Sequence, residues 1–100
     1  MILYNVTIKV DQAVHEDWLQ WMQQVHIPEM MQTQLFEEYK LCRILHEEPD
    51  GMTYAIQYFC KDMKTLHQYQ VHHAQRLQAA HQERYRDQYV AIRTLMEVLN

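Results

Sequence analysis

The first ten residues of the chain alternate between two kinds of position. A period of two with β-branched and aromatic residues is typical of a β-strand. One face would carry Ile2, Tyr4, Val6, Ile8 and Val10, and the other Leu3, Asn5, Thr7 and Lys9. The chain therefore begins with a predicted strand.

A helix is predicted directly after this strand. Asp11 is a plausible N-cap, and the apolar residues that follow recur at spacings of three and four. They are Val14, Trp18, Trp21, Met22 and Val25. Pro28 is expected to end this helix, because the residue before a proline avoids the α conformation. It can also open a new short helix that continues through residues 29–31.

Two further strands are predicted as a hairpin, over residues 38–47 and 52–60. The Pro49-Asp50-Gly51 segment between them is a turn sequence, in which Gly51 tolerates a positive φ. Pairing Glu47 with Met52 gathers an almost wholly apolar core face. That face would carry Tyr39, Leu41, Leu45, Tyr54, Ile56, Tyr58 and Cys60. Cys42 then lies on the opposite face from Cys60, so we expect no disulfide between them.

A second helix and a fourth strand complete the pattern. Asp62 is the expected N-cap of a helix that runs to about Tyr85, and strand character returns from Gln88 to Met96. The inward stripe of this helix would be Leu66, Tyr69, His73, Leu77, Ala80 and Arg84. The order βαββαβ predicts a ferredoxin-like α+β domain over residues 1–100, with both helices on one face of a four-stranded antiparallel sheet.

Composition and charge exclude several classes of protein. At 100 residues the chain is one domain, and 48% hydrophobic residues exclude a disordered chain. A net charge of −4 argues against a nucleic-acid partner. The sequence has neither a signal-peptide pattern nor an apolar run long enough to cross a membrane. With two cysteines in no CxxC or zinc spacing, we expect a reduced, cytoplasmic protein.

The sheet face away from the helices is predicted to be semi-apolar. It would carry Leu3, Asn5, Thr7, Cys42, Ile44, Ala55, Gln57 and Phe59, with one face of the last strand. Such a face usually marks an interaction site, and a two-fold homodimer is the simplest way to cover it. The alternative is a monomer with a wet, mixed face. In the dimer, the polar residues of this face would hydrogen-bond across the two-fold axis or line a small pocket between subunits. They are Asn5, Thr7, Gln57 and Arg93.

Two histidines are candidates for a role in chemistry. His26 lies where the first helix is expected to end, and could be a general acid or base or a donor to a ligand. It could equally stabilise the negative end of the helix dipole. His73 lies in the inward stripe, where it would either satisfy a buried hydrogen bond or line a cavity.

Other candidates surround the expected gap between helices and sheet. Arg84 could pair with a carboxylate, hold an anionic ligand, or extend to solvent. The walls of a pocket there would be Tyr4, Trp18, Tyr54 and Tyr58. Buried tyrosine hydroxyls need partners, so water or a ligand could lie among them.

Several chemistries lack their residues. No two histidines are three or four positions apart, and there is no HExxH motif, so no metal site is expected. One glycine cannot form a phosphate loop, and a chain without serine has no serine nucleophile. We therefore expect no cofactor.

Five segments carry a resemblance to known families. They are Tyr4-Asn5-Val6-Thr7, Trp18-Leu19-Gln20-Trp21-Met22, His26-Ile27-Pro28-Glu29, Gln57-Tyr58-Phe59-Cys60 and Ala91-Ile92-Arg93-Thr94-Leu95. On these the chain resembles the dimeric α+β barrel superfamily, and within it an uncharacterised bacterial family known only as a domain of unknown function. The resemblance implies sheets that pair across a dimer. It leaves the chemistry open, because the superfamily includes oxygenases, isomerases, haem enzymes and binding proteins.

Three hypotheses follow for function. The first is a small cytoplasmic homodimer that binds a small, partly apolar ligand between helices and sheet. The second is a cofactor-independent oxygenase or isomerase that uses His26 or His73 as acid and base. The third is a haem-binding protein, because a histidine on the second helix is the axial iron ligand in haem-handling relatives, and His73 would take that place.

Overall fold

The computed structural model describes residues 1–45 and 48–100. The strands are β1 (Ile2–Asp11), β2 (Glu38–Arg43), β3 (Gly51–Cys60) and β4 (Tyr89–Glu97). The helices are α1 (His15–Trp21), α2 (Ile27–Gln32), α3 (Met63–His72) and α4 (Ala74–Arg84). A 3₁₀ turn (Gln12–Val14) precedes α1, and a π-helical turn (Met22–His26) joins α1 to α2.

The sheet is antiparallel and has the order β2-β3-β1-β4. The long strands β1 and β3 are central, and their helix-facing residues form the core with buried residues of all four α-helices. The alternation predicted for residues 2–10 is confirmed, because every second residue from Ile2 to Val10 belongs to the core cluster, whereas Leu3 and Asn5 do not. The predicted ferredoxin-like fold is confirmed. No helix in the described ranges is long and apolar enough to cross a membrane.

Pro28 does not end the first helix, which corrects the expectation. Helical structure is continuous from residue 12 to residue 32, and Pro28 lies near the start of α2. The π-helical turn just before it widens the backbone, and Pro is tolerated in a first helical turn because it needs no N–H donor there. His26 is the last residue of that turn and therefore lies inside a helical run rather than at its end.

The β2–β3 register differs from the expected one by two residues. Leu41 pairs with Ile56, whereas pairing Glu47 with Met52 would place Leu41 opposite Tyr58. Glu47 itself lies outside the described residues. A shift of two keeps each side chain on its face, so Cys42 and Cys60 are on opposite faces and both are free, as expected. Leu45 was expected in the core but is 94% exposed, because β2 ends at Arg43.

The second helix is broken at His73, which separates α3 from α4. Asp62 is confirmed as its N-cap, since its carboxylate accepts from the Thr65 N–H at 2.8 Å. Beyond the break the buried helical residues are Leu77 and His81. The predicted inward positions His73 and Arg84 are therefore wrong.

Strand β4 lies at the sheet edge, and most of its side chains are exposed on both faces. Arg93 pairs with Val6, so its side chain is on the helix-covered face and not on the open one. This corrects its expected place beside Asn5. The predicted neighbours Asn5 and Gln57 do pair across β1 and β3 on the open face, where the Asn5 amide donates to the Thr7 hydroxyl at 3.0 Å.

Candidate functional site

A small cavity lies between the helices and the centre of the sheet. Its volume is about 30 Å³, which exceeds the roughly 10–15 Å³ that one buried water needs. The wall consists of five apolar residues, Val6, Ile8, Met22, Met30 and Ile56, and seven polar ones, Tyr4, His26, Tyr58, Tyr69, Gln78, His81 and Arg93. A cavity with so many polar groups is suited to water or a polar ligand.

His26 is the polar residue of the wall with the least satisfied side chain. Its Nδ1 is buried and forms no hydrogen bond with any described residue. The ring stacks on Trp21, with centroids 5.1 Å apart. Burial lowers the pKa of His26 from 6.5 to about 4, with a smaller contribution from the positive charge of Arg93. At neutral pH this imidazole is therefore uncharged, with a ring nitrogen available to a ligand.

His81 lies across the cavity from His26, with ring centroids 5.9 Å apart. Its Nε2 accepts a hydrogen bond from the indole N–H of Trp18 at 2.8 Å. Burial lowers the pKa of His81 to about 4, aided by His26 and Arg93. Because Nε2 is the acceptor, the neutral ring carries its proton on Nδ1.

Arg93 supplies a fixed positive charge to the cavity wall. It lies on the exposed edge strand β4, while Gln78 on α4 and His26 are half-buried, so these three residues form the rim. Within residues 1–45 and 48–100, Arg93 has no carboxylate within ion-pair distance. Its charge influences the pKa of His26, His81 and Tyr69.

The tyrosines form the deeper wall. Burial raises the pKa of Tyr58 and of Tyr69, so both hydroxyls are neutral. Tyr69 donates to the sulfur of Met30 at 3.4 Å. Tyr4 contacts both rings, with centroids 6.1 Å from Tyr58 and 5.7 Å from Tyr69. The Tyr58 hydroxyl can donate to a ligand, whereas the Tyr69 hydroxyl already donates to Met30, and neither of the two titrates near neutral pH.

Only some of the predicted pocket residues line this cavity. Tyr4, His26 and Tyr58 do. Trp18 and Tyr54 are buried core residues packed on each other, with centroids 5.0 Å apart, and Trp18 reaches the cavity only through its hydrogen bond to His81.

His73 and Arg84 lie outside the cavity. His73 lies in a surface groove, where its Nδ1 is 3.1 Å from the guanidinium group of Arg76. The haem hypothesis required His73 to face the cavity as the iron ligand, and this position does not provide that. Arg84 pairs with Asp17 at 3.4 Å and donates to the Tyr85 hydroxyl at 3.1 Å. Arg84 therefore extends to solvent at the end of α4, with its side chain 47% exposed, and pairs there with a carboxylate. No anionic ligand is needed to explain its position.

Sequence reasoning missed four residues of the site: Tyr69, Gln78, His81 and Arg93. Tyr69 was read as inward but not as a cavity residue. His81 is one position from the predicted Ala80, and only the helix break fixes which of the two faces inward. The face on which Arg93 lies follows only from the β1–β4 register, because both faces of β4 carry apolar residues and the sequence pattern does not distinguish them. In the part of the chain described, no cluster of three His, Cys, Asp or Glu residues could hold a metal ion.

Solved structures share this fold at very low sequence identity. HapK from Hahella chejuensis superposes with a TM-score of 0.71 and 13% identity, covering 100% of this chain and 94% of that one. A protein from an uncultured marine organism, described as a dimeric ferredoxin-like protein, superposes with a TM-score of 0.73 and 7% identity. The match covers 100% of this chain and 96% of that one. An antibiotic biosynthesis monooxygenase gives 0.63 and 15%, covering all of both chains. These likenesses establish the fold alone.

Family comparison supports the resemblance drawn from the five segments. None of the curated protein sequences matches this chain. One family model matches residues 1–99, which is nearly the whole chain. The protein belongs to that family, the domain of unknown function DUF4286.

Proposed function

We propose that this protein binds a small, partly apolar molecule in the cavity between helices and sheet. The observation that carries the proposal is the buried, unpaired Nδ1 of His26. Leaving such a group without a partner costs about 1–3 kcal/mol. A ligand that donates to this nitrogen would recover that free energy, and the apolar wall would accept its carbon atoms.

The test is a titration with propionamide, which has an amide donor and a short apolar tail. Trp21 stacks on His26, so occupation of the cavity should change tryptophan fluorescence. We expect His26→Ala to weaken propionamide binding roughly tenfold while hardly changing the melting temperature. The control is His67→Ala, at an exposed position of α3. Lost stability with unchanged binding would show that His26 is structural.

A second candidate function is proton abstraction from a carbon acid, as in a cofactor-independent isomerase or oxygenase. The observation that favours it is that His26 is neutral at pH 7 beside the positive charge of Arg93. The free nitrogen would take a proton from the carbon next to a carbonyl, and Arg93 would stabilise the enolate that remains.

This second candidate has a direct test. The wild-type protein in D₂O should exchange the hydrogens next to the carbonyl of 2-butanone faster than buffer does. His26→Gln should abolish that acceleration, and His67→Gln should leave it intact. Equal rates in protein and buffer would remove the enzymatic hypothesis for this substrate class.

We also propose that the protein is a homodimer through its open sheet face. Val90 and Ile92 are 67% and 65% exposed there, an unusual cost for large apolar side chains. Two of the solved structures with this fold are described as dimeric. Because Cys42 and Cys60 are both free, we further propose a reducing, cytoplasmic location.

A further inference from the structure

We infer that the ligand of this cavity is a small anion, held at the rim by Arg93, and that its binding is coupled to proton uptake by His26. This inference rests on the proposed binding function and names the chemical class of the ligand. A carboxylate, a phenolate and an enolate share the required chemistry.

The positive charge in the cavity wall indicates that the ligand is an anion. Among the described residues, those that line the cavity include one arginine and no aspartate or glutamate. Arg93 has no ion-pair partner among residues 1–45 and 48–100. Both histidines are neutral, so Arg93 gives the described part of the wall an unpaired positive charge at neutral pH. An anion bound there would form a charge-assisted hydrogen bond, which is stronger than a neutral one.

The position of Arg93 determines how the ligand would lie. Arg93, Gln78 and His26 form the rim, and the fully buried part of the wall includes Val6, Ile8 and Ile56. An acidic group at the rim and an apolar group inside would match these two regions. Because the enclosed volume is small, only a short apolar group enters, and a larger ligand would extend into the mouth.

Protonation of His26 follows from the same arrangement. Titratable and charged groups face it from each packed element: Tyr4 on β1, Tyr58 on β3, Tyr69 on α3, His81 on α4 and Arg93 on β4. Burial raises the pKa of Tyr58 and of Tyr69, so neither of these hydroxyls loses its proton near neutral pH. The candidate proton acceptors are therefore the two neutral histidines.

His26 is the better of the two proton acceptors. The free electron pair of His81 at Nε2 is already engaged by Trp18, whereas Nδ1 of His26 has no partner. An anion offsets the charge of Arg93 that disfavours imidazolium, so its binding would raise the pKa of His26.

The binding experiment compares propionate with propionamide, which have nearly the same shape and differ in charge, at constant ionic strength and pH 6.0. We expect Arg93→Gln to weaken propionate binding at least roughly tenfold and to leave propionamide binding unchanged. The control Arg76→Gln removes an arginine of α4 that lies in a surface groove outside the cavity. Equal losses for both probes would overturn the charge inference while the binding function stands. If neither propionate nor propionamide binds, both the charge inference and the proposed binding function are overturned.

A second experiment tests proton uptake by His26. It follows the ring nitrogens of His26 by NMR between pH 5.5 and 8, a range in which propionate itself stays ionised. With saturating propionate the His26 pKa should rise by at least about two units from its value of about 4, which brings its titration into this pH range. The propionate Kd should therefore tighten severalfold as the pH falls to 5.5. Propionamide should produce neither effect. Propionate binding whose affinity is constant over this range would overturn the coupling.

Discussion

His26 and His81 are uncharged inside the protein, although a histidine in an unfolded chain titrates near pH 6.5. Burial is the main cause for both. The positive charge of Arg93 lowers both pKa values further, and His26 also lowers the pKa of His81. The hydrogen bond from Trp18 further fixes His81 as an acceptor at Nε2. At the residue scale, the site is therefore a pair of neutral bases beside a cation.

Acid should destabilise the protein through these histidines. Because the pKa of each is about 4 when folded and 6.5 when unfolded, the unfolded chain binds more protons between these values. Stability is therefore complete above pH 6.5 and is lost as the pH falls to 4, by up to about 3 kcal/mol for each histidine.

Urea unfolding at pH 7.0, 5.5 and 4.5 measures this loss. The pH dependence should be weaker in His26→Leu than in the wild type, whereas His67→Leu should retain the full dependence. Identical pH profiles for the wild type and His26→Leu would contradict a depressed pKa at His26.

Trp18→Phe should show the value of the Trp18–His81 hydrogen bond. The change leaves the buried Nε2 of His81 without its donor, which costs about 1–3 kcal/mol. It also frees the electron pair for protonation, so the pKa of His81 should rise. Thermal unfolding and an NMR titration of His81 measure the two effects. Trp21→Phe is the control, because Trp21 contacts His81 only through its ring.

At the scale of elements, two local irregularities shape the site. The π-helical turn brings His26 to the cavity rim without ending the helix, and π-turns are frequent at functional sites. The break at His73 separates α3 from α4 and leaves His81 facing inward. Near the C-terminal end of β1, Lys9 contacts the connection between β2 and β3. Its ammonium group pairs with the carboxylates of Glu48 at 2.8 Å and Asp50 at 3.0 Å.

Gly51 at the start of β3 has a different role from the expected one. Its φ is not positive, so the turn does not need a glycine for its conformation. A Cβ at this position would instead lie 2.6 Å from the carbonyl oxygen of Val10.

Gly51→Ala should therefore force β1 and β3 apart. We expect a loss of about 1–3 kcal/mol in the free energy of unfolding, which is typical of overpacking. Chemical denaturation measures it. A variant as stable as the wild type would show that the strand ends adjust without cost.

At the scale of the whole molecule, the two faces of the sheet have different surroundings. One is covered by helices and holds the cavity, and the other presents β4 side chains such as Val90 and Ile92 to solvent. Dimerisation through that open face would leave the cavity rim on the opposite side, accessible to a ligand.

Ile92→Glu should dissociate the proposed homodimer, because each subunit would have to bury an unpaired carboxylate in the interface. Light scattering should give twice the chain mass of 12.3 kDa for the wild type and the chain mass for the variant. Val71→Glu is the matched control, with a residue 61% exposed on α3 that should leave the dimer intact. A wild-type mass of one chain would contradict the proposal.

The sequence by itself determined the fold, since a period of two in residues 2–10 and the N-cap at Asp62 act over a few neighbouring residues. It also indicated His26, Tyr4 and Tyr58, because strand alternation assigns the tyrosines to the core face. Only the tertiary structure decided between Ala80 and His81 and assigned Arg93 to the helix-covered face. The physical reason is that helix phase after a break, and the register of an exposed edge strand, are set by packing between distant elements rather than by local pattern.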